Sequence, residues 1–141
     1  MDGLVPPKAP ALADADYAML ADFRAALRSF LAFSEAKAGA VGLSPQQHQA
    51  LLAIRGAGAG QATVGYVADR LILKPHSASE LIHRLEALGL IVRRTAAEDR
   101  RRVILALTDH AEALLTDLSA THRDEIQRLK PLLLDLLDRV G

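Results

Sequence analysis

From Tyr17 to about Lys37 the apolar residues Leu20, Phe23, Leu27, Phe30 and Leu31 recur at spacings of three and four, which predicts a long helix with one apolar face. Gly39 and Gly42 predict its end. The stretch "LSPQQHQALLAI" then carries three start signals for a helix to about Arg55. Ser44 is the N-cap, Pro45 takes the first helical position, and Gln47 is the return half of a capping box. "GAGAGQ" is short and glycine-rich, and reads as a flexible connection. Thr63 caps a short helix over "VGYVADRL". Pro75 opens another over "HSASELIHRLEAL", with Leu81, Ile82, Leu85 and Leu88 as its predicted inner face and Gly89 followed by Leu90 as its stop. Two short helices in series are a helix-turn-helix candidate.

The pattern then changes period. "LIVRR" and "RVILAL" are short apolar, β-branched runs separated by the polar "TAAEDRR", which predicts a β-hairpin with a charged tip. Thr108 caps a last helical region, with Asp109 and Glu112 in the first turn, where the helix dipole favours acids. Leu114, Leu115, Leu118, Ile126 and Leu129 follow. Pro131 predicts a kink, or a separate helix through Leu132 to Val140, because a proline inside a helix costs about 3 kcal/mol. The fold class is therefore mostly α with a small β-hairpin wing (α+β). Residues 1–16 read as a loose Pro/Ala-rich tail and residues 17–141 as one domain, with a winged helix-turn-helix lobe over 43–108.

Composition narrows the function. The 141-residue chain is half hydrophobic and has no cysteine, so it needs no disulfide staples and has no thiolate metal site or thiol redox sensor. Its start lacks the pattern of a secretory signal and no apolar run is long enough to span a bilayer, so the expectation is a cytoplasmic protein with no membrane partner. The formal net charge is zero, yet residues 74–102 carry seven basic and four acidic side chains while residues 103–141 carry four and seven. The basic excess thus falls on the second short helix and the hairpin. Paired helices followed by a wing form an architecture that meets DNA, with the second helix in the major groove and the wing along the backbone or in the adjacent minor groove. Arg100, Arg101 and Arg102 at the hairpin tip suit phosphates or a narrow minor groove, and Asp99 is placed to orient one guanidinium.

At these residues the chain resembles the MarR family of bacterial transcription regulators. The likeness lies in "GLSPQQHQALLAI", "VADRL", "SASELIHRLEALGLIVR" and above all "DRRRVILALT", where Asp99, Arg101, Leu107 and Thr108 match the family's wing signature of Asp-x-Arg followed by Leu-Thr. The resemblance covers about residues 43–108. It implies a ligand-responsive repressor that binds a near-palindromic operator in double-stranded DNA as a homodimer. Helices at 17–38 and 109–141 would be the dimerisation arms. By position, it puts Thr63, Lys74, His76, Ser77, Ser79, Glu80, His83 and Arg84, with Asp99, Arg100, Arg101 and Arg102 of the wing, at the DNA. Leu20, Phe23, Leu27, Leu132, Leu133, Leu136 and Leu137 fall at the dimer interface, and Phe30, Phe33 and His48 at a crevice for a small aromatic or anionic effector. Glu80 departs from the family pattern, which often has a basic residue there; a carboxylate accepts from a cytosine amino group or repels a phosphate.

Other readings compete. The three phenylalanines are most simply packing residues. The five histidines show no pair at i, i+4 and no cysteine assists them, so no metal site and no cofactor is expected, and a metal-responsive regulator is a weaker alternative. "GAGAG" lacks the preceding strand and the Lys-Ser/Thr of a phosphate loop, and no Ser/His/acid grouping stands out, so the chain does not read as an enzyme. The competing class is a winged-helix protein-interaction module that docks a partner through its acidic C-terminal segment and does not bind specific DNA.

Overall fold

A computed structural model describes residues 11–140. Helices α1 (Asp14–Ala40), α2 (Pro45–Ala57), α3 (Val64–Leu71) and α4 (Pro75–Ala87) precede a hairpin of β1 (Ile91–Thr95) and β2 (Val103–Leu107), and α5 (Asp109–Val140) follows. The first ten residues of the expected tail lie outside the described residues, and its last three are already helical. Asp16 holds that start by accepting the Ala13 N–H at 2.9 Å. At the other end α1 runs through Gly39 and stops before Gly42, whose φ is +82°.

The local stops and starts sit where the residue types require them. Ser44 Oγ accepts the Gln47 N–H at 3.1 Å while Gln47 Oε1 accepts the Ser44 N–H at 2.9 Å, a closed capping box. Helix α2 continues two residues past Arg55, into the first Gly-Ala of the glycine-rich connection. At the end of α4, Leu90 N–H donates to the Leu85 carbonyl at 3.0 Å and Gly89 N–H to that of Glu86 at 2.9 Å. That reversal needs a left-handed residue, and Gly89 supplies it at φ +72°. It buries Leu90 but leaves Leu88 54 % exposed, so Leu88 is not part of the inner face; Ala78 joins Leu81, Ile82 and Leu85 there instead.

One core runs from the end of α1 to the first turns of α5. Leu43, Leu51, Ile54, Val67, Ile82, Leu85, Leu90, Ile91, Leu105, Leu115 and Leu118 are buried in it. β1 and β2 pair antiparallel with Ile91 opposite Leu107 and Thr95 opposite Val103. The loop before α3 joins them, since Leu105 N–H donates to the Ala62 carbonyl at 2.8 Å. Thr108 locks the lobe: its hydroxyl donates to the Gly89 carbonyl at 2.8 Å, its own N–H donates to that of Leu90 at 3.0 Å, and its oxygen accepts the Ala111 N–H at 3.3 Å. The end of α4, the hairpin and the start of α5 thus meet at one side chain.

The structure narrows two expectations about the arms. Pro131 neither ends α5 nor starts a new helix; α5 is continuous through it. Proline removes the hydrogen bond to the carbonyl of Gln127, and both residues lie on the exposed side, where that oxygen is open to solvent. Leu136 is 2 % exposed within the single chain, so it is already buried and offers no surface to a partner. It sits where α5 runs beside α1, a region also joined by Arg139 and Asp22 at 3.4 Å. By contrast Tyr17, Leu20, Phe23, Leu27 and Leu31 of α1, with Ile126, Leu132, Leu134 and Leu137 of α5, remain exposed.

Thr108→Ala removes a helix cap and the bonds to the end of α4, and should lower stability by about 1–2 kcal/mol in urea unfolding. An unchanged midpoint would show that the lobe is held together elsewhere.

Candidate nucleic-acid interface

Helix α4 divides cleanly into two faces. Ala78, Leu81, Ile82 and Leu85 point into the core, so at 3.6 residues per turn His76, Glu80 and His83 fall in line on the opposite side, flanked by Ser79 and Arg84. Lys74, Ser77 and all five of these are exposed. His76 Nε2 lies 3.3 Å from Glu80 Oε1. Arg93 of β1 is steered by Glu86, Nε to Oε1 2.7 Å, and with His76, Ser79, Glu80, His83 and Arg84 it lines a shallow cleft of about 440 Å³. The outer face of the helix and the base of the hairpin therefore form one polar surface.

Thr63 is half-buried, and its hydroxyl oxygen accepts the Tyr66 N–H at 3.0 Å, which gives it a capping role at α3. The turn between α3 and α4 contains Ile72, a β-branched residue held at φ +55° and 92 % exposed. No periodicity in the sequence announces that conformation, which costs a side chain of this shape about 1–2 kcal/mol.

At the wing tip Asp99 organises the backbone. Its carboxylate accepts the Arg101 N–H at 2.9 Å, and its carbonyl accepts the Arg102 N–H at 3.0 Å. Ala96 N–H closes the turn on the Arg102 carbonyl at 2.9 Å. The Arg101 guanidinium reaches Asp99 at 3.5 Å but is 94 % exposed, so the contact gives direction and little energy. Arg102 turns back to Glu98 at 3.4 Å. Arg100 makes no ion pair among the described residues and is exposed. Charge density at the tip is thus available from Arg100 and Arg101, while Arg102 is partly spent within the loop.

Residues 41–102 match the model of the MarR family. This lobe is similar to the winged helix of the MarR family. Solved structures repeat the whole chain's fold at low identity. AbsC, a MarR family transcriptional regulator from Streptomyces coelicolor, is 20% identical with a TM-score of 0.72, covering 94% of this chain and 93% of its own. A mutant of MepR from S. aureus bound to an oligodeoxyribonucleotide is 20% identical with a TM-score of 0.66, covering 89% and 98%. CouR from Rhodococcus jostii RHA1 bound to p-coumaroyl-CoA is 22% identical with a TM-score of 0.66, covering 79% and 81%. Comparison with curated protein sequences gives no match. MarR-family proteins are DNA-binding transcription regulators, and among the described residues no helix is long and apolar enough to cross a membrane.

Where this lobe meets the arms, the structure brings Phe30, Phe33 and His48 together around a residue that the sequence pattern did not single out, His122 of α5. The His122 ring stands edge-on to Phe30 at 5.9 Å and Phe33 at 5.7 Å between centroids, and 5.0 Å from the His48 ring. Its Nδ1 lies 2.6 Å from the Leu118 carbonyl, which can only accept, so Nδ1 carries the proton. In the neutral ring Nε2 then accepts from the Ser34 hydroxyl at 2.7 Å. Lys37 lies over the Phe33 ring at 5.5 Å. These side chains meet at the junction of α1, α2 and α5. Nothing local in the sequence links Ser34 to His122, 88 positions apart. A separate open cleft of about 660 Å³ lies between the α2–α3 connection and the hairpin, lined by Ile54, Ile104, Arg55, Arg94, Glu98 and Glu112.

His48 is 4 % exposed, and burial holds its imidazole below the ordinary 6.5, with the neighbouring His122 acting in the same direction. The unfolded chain therefore takes up this proton first as pH falls. Stability is full above about pH 6.5 and declines as pH drops below it, levelling once the folded state is also protonated. Urea midpoints measured between pH 8 and 5 should fall in wild type and fall less in His48→Gln; parallel curves would show that this buried ring does not set the acid sensitivity.

Proposed function

We propose that the protein is a cytoplasmic homodimeric repressor that occupies a near-palindromic operator and is released by an effector acting at the arm–lobe junction. The observation that carries this is the shared surface of α4 and β1, with the wing tip beyond it. The outward face of a helix-turn-helix second helix continues onto Arg93, and Arg100 and Arg101 extend the basic surface. On this reading α4 enters the major groove through His76, Ser77, Ser79, Glu80, His83 and Arg84, with Lys74 at its entrance. The wing arginines contact backbone or minor groove, and Thr63 presents the start of α3 to a phosphate while capping it.

The partner is a second copy of the chain. Leu20, Phe23 and Leu27 of α1 and Leu132 and Leu137 of α5 are apolar and exposed in the single chain, with Leu133 half-buried beside them. Large unpartnered apolar surfaces mark association sites, and two-fold pairing matches two lobes to two half-sites about one helical turn apart. The effector is a small aromatic or anionic molecule that inserts among Phe30, Phe33 and His48. It releases DNA to the extent that it prefers the arrangement in which the lobes no longer match the half-site spacing.

Incubating the protein with a pool of random duplexes and sequencing what is retained should enrich an inverted repeat with half-sites about one turn apart. No enrichment by a folded dimer at low salt would favour the interaction module. On the retained duplex, Arg101→Ala should weaken binding and reduce the slope of log affinity against log salt by about 1; near-normal affinity would contradict the wing assignment. Leu27→Asp should sediment as a single folded chain where wild type sediments as two; an unchanged dimer would remove α1 from the interface.

A further inference from the structure

We propose that Glu80 selects a cytosine in each operator half-site, and that His76 is the residue that positions it. The inference rests on the DNA reading above and adds what that reading leaves open, the base preference of the helix. Among the exposed residues of α4 that face away from the core, Glu80 is the acidic one, placed between His76 one turn before it and His83 one turn after. Its carboxylate belongs to the surface that includes Ser79, Arg84 and Arg93, so any duplex seated on this face meets it.

A carboxylate can only accept hydrogen bonds, which restricts what it meets in the major groove. Guanine presents two acceptors and thymine an acceptor and a methyl group, so neither offers it a donor. Adenine offers an amino group but sets the N7 acceptor beside it, against the second carboxylate oxygen. Cytosine offers its N4 amino donor without an adjoining acceptor on the same base edge. A phosphate in that place would repel the group outright. Cytosine is therefore the base that Glu80 tolerates and rewards.

The long Glu80 side chain needs fixing to read one position. His76 supplies that, with Nε2 3.3 Å from Oε1, and leaves lone pairs of the carboxylate open on the solvent side. Arg93 is turned by Glu86, Nε to Oε1 2.7 Å, and makes no ion pair with Glu80 among the described residues. Both Glu80 and His76 are well exposed, so replacing them removes no core contact.

The test is the random-duplex selection run on wild type, Glu80→Gln, Glu80→Ala and His76→Ala. Wild type should enrich cytosine at one position per half-site. Glu80→Gln should replace it there with adenine, whose N6 and N7 suit an amide, and Glu80→Ala should accept any base, with discrimination at that position falling about tenfold or more. His76→Ala should keep cytosine at the same position with a weaker preference, a readout that a merely structural role would not move. The inference is overturned if the Glu80 variants retain the wild-type motif, or if both bind every duplex more tightly by the same factor, which would make Glu80 a repulsive group only. Failure of wild type to enrich any sequence overturns the DNA reading and this inference with it, a result distinct from an unchanged motif in the variants.

Discussion

A single chain of this protein can close its lobe but not its arms, and that imbalance governs the rest of the structure. The lobe core is continuous and buried from Leu43 to Leu118, whereas the apolar stripe of α1 and much of the second half of α5 face water. At roughly 25 cal/mol per Å² of apolar surface removed from water, covering such a stripe is a strong driving force for pairing. Pairing would also fix the separation of the two lobes, and a recognition surface repeated at a fixed spacing is what a two-fold operator requires. Paired in this way, the arms would serve stability and geometry at once.

The same separation explains how a neutral chain presents a basic face. Acidic residues collect after residue 103, along α5, while the α4–hairpin segment keeps the positive excess. Within that segment the acids are placed with different effects. Glu86 and Glu98 each hold an arginine, Asp99 folds the wing turn, and Glu80 stays on the outward face. The junction residues occupy a third location, where Phe30, Phe33, His48 and His122 join both arms to α2.

What the sequence made legible was local. The Ser44 capping box, the Gly89 stop, the hairpin and the outward line of α4 are each decided within a few residues, and each is where the pattern placed it. What depended on distant neighbours was not legible. Leu136 looked like its exposed neighbours until α1 was seen to lie beside it, and Pro131 looked like a break because its solvent-facing carbonyl partner cannot be seen in a string of letters. His122 became a candidate only when the fold carried it to Ser34 and His48. Ile72, an apolar residue in a left-handed turn, contradicts its own propensity and no pattern rule selects it.

On the proposed function, two copies of this chain bind one duplex through phosphate contacts from α4 and the wing. It is tested most directly by measuring affinity for the selected duplex across salt concentrations, with the mass of the complex determined alongside. Two chains per duplex are expected, with an affinity that falls on the order of a thousandfold between 50 and 200 mM salt, as for a protein neutralising several phosphates. A complex with one chain, or an affinity indifferent to salt, would contradict it.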